Sequence, residues 1–356
     1  MSGPTAPATG DRLLVALREG SVALPHARLG LDALTVSALG AGESYAAWLV
    51  TDGTHSLVFR LPRRPPEEMP TPMADEVNAA RFIPEGVGSR VVAVDEGSDN
   101  GLGCPYLVST FVPGSVPALA DWDDRLLSRH ARQLARLHQP RFDRAGPPGG
   151  DGRVLDLVRA FDESLAWWRE AHPQVTGSAA VAALARDIRQ RLVAASPAFE
   201  GTRYSFIHGD LVATNVVVDT GGTPRFIDWE WARIGDVAQD LAYVGGEVTG
   251  GPWYVRMSSS AVTRFLTEYL RARALQPDGQ VEPLDRLRRR RDAWELVERF
   301  LSSLHFERQA QVRADPGPYP AAVRELRTTL RARLDAGSAG TRATTQRVPP
   351  RRPPDS

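Results

Sequence analysis

FIHGDLVATNVVVDTGGTPRFIDWE, residues 206–230, carries two short apolar runs, and each delivers an acidic or amide side chain. The first run, YSFI, is followed by Asp210 in a loop and by Asn215 five residues later. Val216 to Val218, the Gly221-Gly222 turn and RFID then read as a β-hairpin. A hairpin returns the chain beside its own start, so Asp228 is expected back near Asn215. A carboxylate in such a loop can accept a proton from an attacking hydroxyl. An amide oxygen and a carboxylate converging on one point suit Mg²⁺ bridging phosphate oxygens. Taken singly, these residues read as a cap, a turn Asn and a loop Asp; together, at this spacing, they read as a site.

The chain has 356 residues, enough for a large domain or for two lobes around a cleft. Acidic and basic residues balance at 43 each, which favours neither nucleic acid nor a membrane surface as partner. There is no Lys, so chemistry that usually takes Lys falls to Arg. With Cys104 as the only cysteine, neither an intrachain disulfide nor a cysteine metal cluster is possible. The start, MSGPTAPATGDRL, lacks a basic segment followed by an apolar run. No stretch approaches a membrane span, and a cytoplasmic location is expected.

Residues 1–10 and the Gly-, Pro- and Arg-rich tail 336–356 read as disordered. Between them the texture changes once. From about residue 30 to 112 it is mainly β: LTVSALG, SYAAWLV, HSLVFRLP, SRVVAVDEG and PYLVSTFV, with one helical stretch, MADEVNAARFI. In HSLVFRLP, Leu57, Phe59 and Leu61 face one way while Val58 and Arg60 face the other. From 113 to 335 helical periodicity dominates, beginning behind the Asp cluster of DWDDRLLSRHARQLARLH. The expectation is an α+β, bilobal chain with a small β-rich lobe (11–112) and a large, mainly helical lobe (113–335).

The central stretch resembles the aminoglycoside phosphotransferase family, whose relatives include macrolide kinases and choline kinase, all on the protein-kinase-like fold. The resemblance is carried by His208-Gly209-Asp210-Leu211, Asn215, Ile227-Asp228-Trp229-Glu230, Gly235-Asp236 and Asp240-Leu241-Ala242, in the family's order. The Asp-to-Asn spacing is also that of the kinase catalytic loop. By position, the resemblance implies Asp210 as catalytic base or hydroxyl-orienting residue, and Asn215 and Asp228 as holders of Mg²⁺. His208 would orient the loop, and Asp240 would cap the helix beginning LAYV and brace the loop.

On the nucleotide side, the resemblance makes Gly40 and Gly42 of LGAGESY a phosphate-covering loop, with Ser44 donating to a phosphate. Arg60 stands where kinases place a lysine for the α- and β-phosphates, and Arg is not a neutral exchange for Lys. Glu76 is its expected ion-pair partner. Backbone groups near Thr110 and Val112, in the connector, would meet the purine of ATP or GTP.

The implied activity is ATP- or GTP-dependent O-phosphorylation of a small molecule. An antibiotic of aminoglycoside, macrolide or nucleoside type, inactivated to give resistance, is the leading acceptor. A metabolic kinase acting on an amino alcohol, sugar or amino acid is the alternative, and a nucleotide-binding pseudokinase is the reading from another class. The expected oligomeric state is a monomer or a homodimer. The acceptor side is expected around 155–170, 245–260 and 290–310. Those regions hold Asp162, Glu163, Glu247, Glu295, Glu298 and Glu307 beside Trp167, Trp168, Trp253, Tyr254, Trp294 and Phe306, and no substrate-binding residue separates from ordinary helix surface and core.

Overall fold

A computed structural model describes residues 10–22, 29–69, 71–139, 141–277, 279 and 281–345 (its account of side chains omits Pro66 and everything after Ala336). After helix α1 (Gly10–Arg18), strands β1 (Thr35–Ala41), β2 (Tyr45–Thr51) and β3 (Ser56–Pro62) form a meander. Helix α2 (Met73–Ala80) precedes β4 (Val91–Asp95) and β5 (Tyr106–Thr110). The five strands form one antiparallel sheet in the order β1-β2-β3-β5-β4. Alternation in β3 buries Phe59 and Leu61, which join Leu13 and Leu17 of α1, Val50, Tyr106 and Val108 in a small core.

The large lobe begins with α3 (Asp124–Leu137), α4 (Leu157–Ala171), the short α5 (Pro173–Thr176) and α6 (Ala179–Ala195). Four three-residue strands interrupt the helices: β6 (Ser205–Ile207), β7 (Val216–Val218), β8 (Pro224–Phe226) and β9 (Arg233–Gly235). Then follow α7 (Val237–Tyr243), α8 (Ser259–Ala274), α9 (Leu284–Val312) and α10 (Tyr319–Thr345). Side chains of Asp123, Asp156, Ser178 and Ser258 accept the free amides that start α3, α4, α6 and α8. The expected hairpin is present: β7 pairs antiparallel with β8, with Val216 opposite Phe226. The helix α10 was not foreseen from the sequence, and it carries backbone to Thr345, into the tail expected to begin at Ala336. Apart from Gly10, the expected disordered start lies outside the described residues, as does 346–356.

The lobes are joined by more than the connector. Ser115 and Val218 exchange two backbone hydrogen bonds, of 3.2 and 2.8 Å. Phe226 pairs on the other side, its N–H to Val87 O at 2.9 Å and its carbonyl from Ser89 N at 3.0 Å. The β7–β8 hairpin is thus clamped between Ser115, just past the connector, and the small-lobe segment that leads from α2 into β4. Ala79, Ile83 and Val87 belong to the large lobe's core, with Phe161, Phe206, Phe226 and Phe300. Burying each such phenylalanine contributes roughly 1.5–3 kcal/mol. Among the described residues no helix is long and apolar enough to cross a membrane.

Gly88 makes the clamp possible, because a Cβ there would lie 2.3 Å from Phe226 O and 2.7 Å from the Trp229 ring. Gly88→Ala should therefore lower the free energy of unfolding in urea by about 1–3 kcal/mol, the usual cost of overpacking.

Candidate active site

Strand β6 runs straight into the loop that carries Asp210. Gly209 turns the chain with φ 81°, and a Cβ on it would sit 2.2 Å from Trp231 O. The turn is held from beneath by Asp240, whose two oxygens accept from His208 N (2.8 Å) and Gly209 N (2.9 Å). His138 Nε2 lies 3.1 Å from the same carboxylate. Burial works to raise the proton affinity of Asp240, but His138 and these amides outweigh it, so the carboxyl titrates below its ordinary range. The expected capping role of Asp240 is corrected: α7 starts at Val237, where Asp236 accepts from Ala238 N at 3.0 Å, and Asp240 lies inside the helix. Its bracing of the loop is observed. His208 is fully buried and bridges the two halves of the site, with Nε2 donating to Ile227 O at 2.9 Å and Nδ1 accepting from Asp210 N at 3.4 Å.

Asp210 and Asn215 are joined directly. The Asn215 amide nitrogen donates to Asp210 O (2.8 Å) and to its carboxylate Oδ2 (3.3 Å). Ile227 N donates to Asn215 O at 3.1 Å, continuing the hairpin ladder one step beyond β8. Asp228 follows with φ 67°, the one non-glycine residue at positive φ among those described. Aspartate tolerates that region, at a cost of order 1 kcal/mol or more, and the turn leaves the side chain 39% exposed toward the cleft.

The carboxylates crowd. Burial, then the charges of Asp228, Glu230 and Glu298, push the Asp210 carboxyl well above its ordinary range. Glu230, for which no role was foreseen, is raised to about 7 by burial and by Asp228, and one of its oxygens is buried without a hydrogen-bond partner. Carboxylate oxygens are hard donors of the kind that suit a divalent cation, although among the described residues no three acidic or other ligating side chains are grouped closely enough to hold one by themselves.

The small-lobe side of the site, where the nucleotide is expected, is organised by Arg60. One guanidinium nitrogen pairs with Glu76 of α2, and the other lies 2.7 Å from Asp228 Oδ1. The expected Arg60–Glu76 pair is therefore present, and its reach to Asp228 was not foreseen. The guanidinium also lies over the Tyr45 ring, 4.3 Å from its centroid. Gly40 and Gly42 sit at the β1–β2 turn, where Gly42 N donates to Tyr45 O at 2.9 Å. Ser44, expected to meet a phosphate, is 3% exposed and faces Glu230. Of the two connector residues, Thr110 has its N–H committed to Arg90 O (2.8 Å) and its hydroxyl to Arg90 N (3.0 Å). Val112 lies beyond that ladder.

In the regions where the acceptor side is expected, the structure sorts residues that the sequence left mixed. Asp162 pairs with Arg189, Glu163 with Arg153, Glu247 with Arg333, Glu295 with Arg291 and Glu307 with Arg327. Glu298 differs: it accepts from Tyr243 Oη and Gln239 Nε2, both at 2.7 Å, and its charge is felt at Asp210. Tyr254 stacks beneath Arg299, whose guanidinium is 3.6 Å from the ring centroid, and donates to Ser302 Oγ at 2.7 Å. Trp253, Phe306 and Tyr319 form one aromatic cluster, whereas Trp294 is tied to Asp236 at 3.1 Å.

The sequence profile of the phosphotransferase enzyme family (APH) matches residues 35–283. Solved structures of the same fold include a Plasmodium vivax ethanolamine kinase (TM-score 0.64, 14% identity, covering 91% of this chain and 89% of that one). A choline kinase from Cryptosporidium parvum is similar at TM-score 0.59 and 13% identity, over 94% and 96% of the two chains. A thermostable mutant of aminoglycoside phosphotransferase APH(4)-Ia follows at 0.58 and 14%, over 93% and 99%. No curated protein sequence matches.

The crowding at Glu230 has a measurable sign. A carboxyl raised in the folded state keeps its proton while the unfolded chain has already lost it, so folding stability falls with rising pH between the unfolded value, near 4.3, and about 7. Glu230→Gln removes that penalty. In metal-free buffer its melting temperature, relative to wild type, should climb from pH 5 to pH 7 and level off above, as read by differential scanning fluorimetry.

Proposed function

Because this chain belongs to the phosphotransferase enzyme family, we propose that it transfers the terminal phosphoryl group of ATP or GTP to a hydroxyl of a small molecule. The observation that carries this reading is the convergence of Asp210, Asn215, Asp228 and Arg60 across one cleft. Among similar folds, APH(4)-Ia is known with ADP or AMP-PNP together with hygromycin B, and aminoglycoside 2'-phosphotransferase-IIIa with GDP.

Asp210 orients the acceptor hydroxyl and takes its proton as the new oxygen–phosphorus bond forms and the bond to the nucleoside diphosphate breaks. Asn215 holds the Asp210 carboxylate in place. Arg60 serves the α- and β-phosphates, with Glu76 fixing its direction. The hairpin backbone at Gly40 and Gly42 covers the phosphates, and Ser44 supports that cover through Glu230. Val112 meets the purine. Asn215 and Asp228 would hold Mg²⁺, with Glu230 adding a further oxygen. When bound, the ion neutralises charge on the phosphate oxygens.

Asp210, Asp228 and Glu230 outnumber Arg60 at the centre of the site, while Arg233 and Arg299 act on Glu298; that excess favours an acceptor carrying an amine beside its hydroxyl. An aminoglycoside-type antibiotic, inactivated in the cytoplasm to give resistance, has that chemistry. An amino alcohol has it too, and the ethanolamine and choline kinase folds keep that second reading in play. The complete set of Asp210, Asn215 and Asp228 speaks against a pseudokinase.

A mass-spectrometric screen of aminoglycosides, macrolides, nucleoside antibiotics and amino alcohols, with ATP and with GTP, should find an acceptor that gains one phosphoryl group. Asp210→Ala should lower kcat for that acceptor by roughly 10²–10⁴-fold. No gain on any compound would count against the reading.

A further inference from the structure

The tip of the β1–β2 hairpin reaches across the cleft to α9. Glu43 Oε1 lies 2.7 Å from His305 Nε2 and 3.8 Å from Arg313 Nη2, and Glu43 Oε2 lies 3.4 Å from Arg64 Nη2. Burial acts to raise the Glu43 carboxyl, but His305, Arg64 and Arg313 outweigh it and hold it below its ordinary range. The hairpin behind this contact is lightly held. β1 is exposed along nearly its whole length, its register with β2 shifts between Ala38 and Gly40, and Gly40 stands at φ 156°. Within its own lobe the tip is tied by Arg63, through its N–H to Ser44 O at 2.8 Å and its guanidinium to Gly42 O.

The far end of the contact is on the acceptor wall. His305 and Glu298 are seven residues apart on α9, hence on one face and about 10 Å apart along the axis. Ser302 lies between them and receives the Tyr254 hydroxyl. The His305 ring meets Phe306 edge-on at 5.8 Å, and Phe306 packs on Trp253 (4.2 Å) and Tyr319 (5.5 Å). Arg313 lies over Tyr319 at 5.2 Å. One wall of α9 therefore carries Glu298, whose charge acts on Asp210, at one end and the anchor for the hairpin at the other.

We propose that Glu43, His305 and Arg313 form a clasp that closes the glycine hairpin onto the acceptor wall, making Glu43 a positioning residue for the acceptor as well as part of the nucleotide cover. An acceptor then enters, and its phosphorylated product leaves, with the clasp open; transfer takes place with it shut. This rests on the acceptor-side reading above, but its first test does not require that reading.

Hydrogen exchange of the full-length, nucleotide-free protein, read by mass spectrometry on residues 38–47, compares wild type with Glu43→Ala, His305→Ala and the double variant. Both side chains are part-exposed, so the fold should survive, and exchange in β3 and α8 serves as the control. Hairpin exchange should rise roughly three- to tenfold in each single variant, and the double variant should be no faster than the faster single. Unchanged exchange in both singles, or a double variant whose rise is the product of the two, overturns the clasp. With an acceptor found by the screen, Glu43→Ala should raise the acceptor's KM by a clearly larger factor than it raises the Kd of AMP-PNP. Equal weakening of both would confine Glu43 to the nucleotide and overturn the acceptor role.

Discussion

Arg60 is where β3, α2 and the segment after the β7–β8 hairpin meet. Its guanidinium holds Glu76 on one side and Asp228 on the other while only 11% of its side chain is exposed. A charge so placed costs several kcal/mol unless it is fully paired. A rigid planar fork can hold two carboxylates from different elements at once, whereas an ammonium offers a single point charge. In a chain without Lys, this position thus acquires a two-way bridge that fixes the small lobe's helix and the carboxylate of Asp228 with one group.

The remaining geometry follows from what that bridge meets. Asp228 sits at positive φ because the chain must leave the hairpin ladder at Ile227 and still aim a carboxylate into the cleft. The loop before the hairpin is set independently, by Asp240 from below and by His208 across to Ile227. Two separately braced segments thereby bring Asp210 and Asp228 into one field, with Glu230 and Glu298 adding to it. Burial, with their mutual repulsion added to it, holds the Asp210 and Glu230 carboxyls above the ordinary range.

Much of this was legible in the residues. Period-two alternation in HSLVFRLP placed Arg60 apart from its apolar neighbours, and the Gly-Gly turn with its flanking valines announced the hairpin. The Asp-to-Asn spacing and the ordered motifs after it pointed to the family. Other features had no local signature. Glu230 closes the quoted stretch, yet its burial beside Asp228 is a product of the turn. Asp240 looked like a cap because its sequence neighbours begin a helix, and the true cap, Asp236, differs from it only in where the backbone turns. On α9 the glutamates are alike in sequence; what distinguishes Glu298 from Glu295 is that neutral Tyr243 and Gln239 face it, where Arg291 faces the other. The Glu43–His305 contact joins positions 262 residues apart and leaves no mark on either segment.

Converging carboxylates, with Arg60 as the residue that links them to the small lobe, are the core of the account. Isothermal titration calorimetry of AMP-PNP with and without Mg²⁺, on wild type and on Asp228→Asn, tests it most directly. The account predicts that Mg²⁺ strengthens binding to the wild type by at least tenfold, about 1.4 kcal/mol, and that Asp228→Asn loses most of this dependence while binding the metal-free nucleotide no more weakly. A variant that keeps the full Mg²⁺ dependence would contradict it.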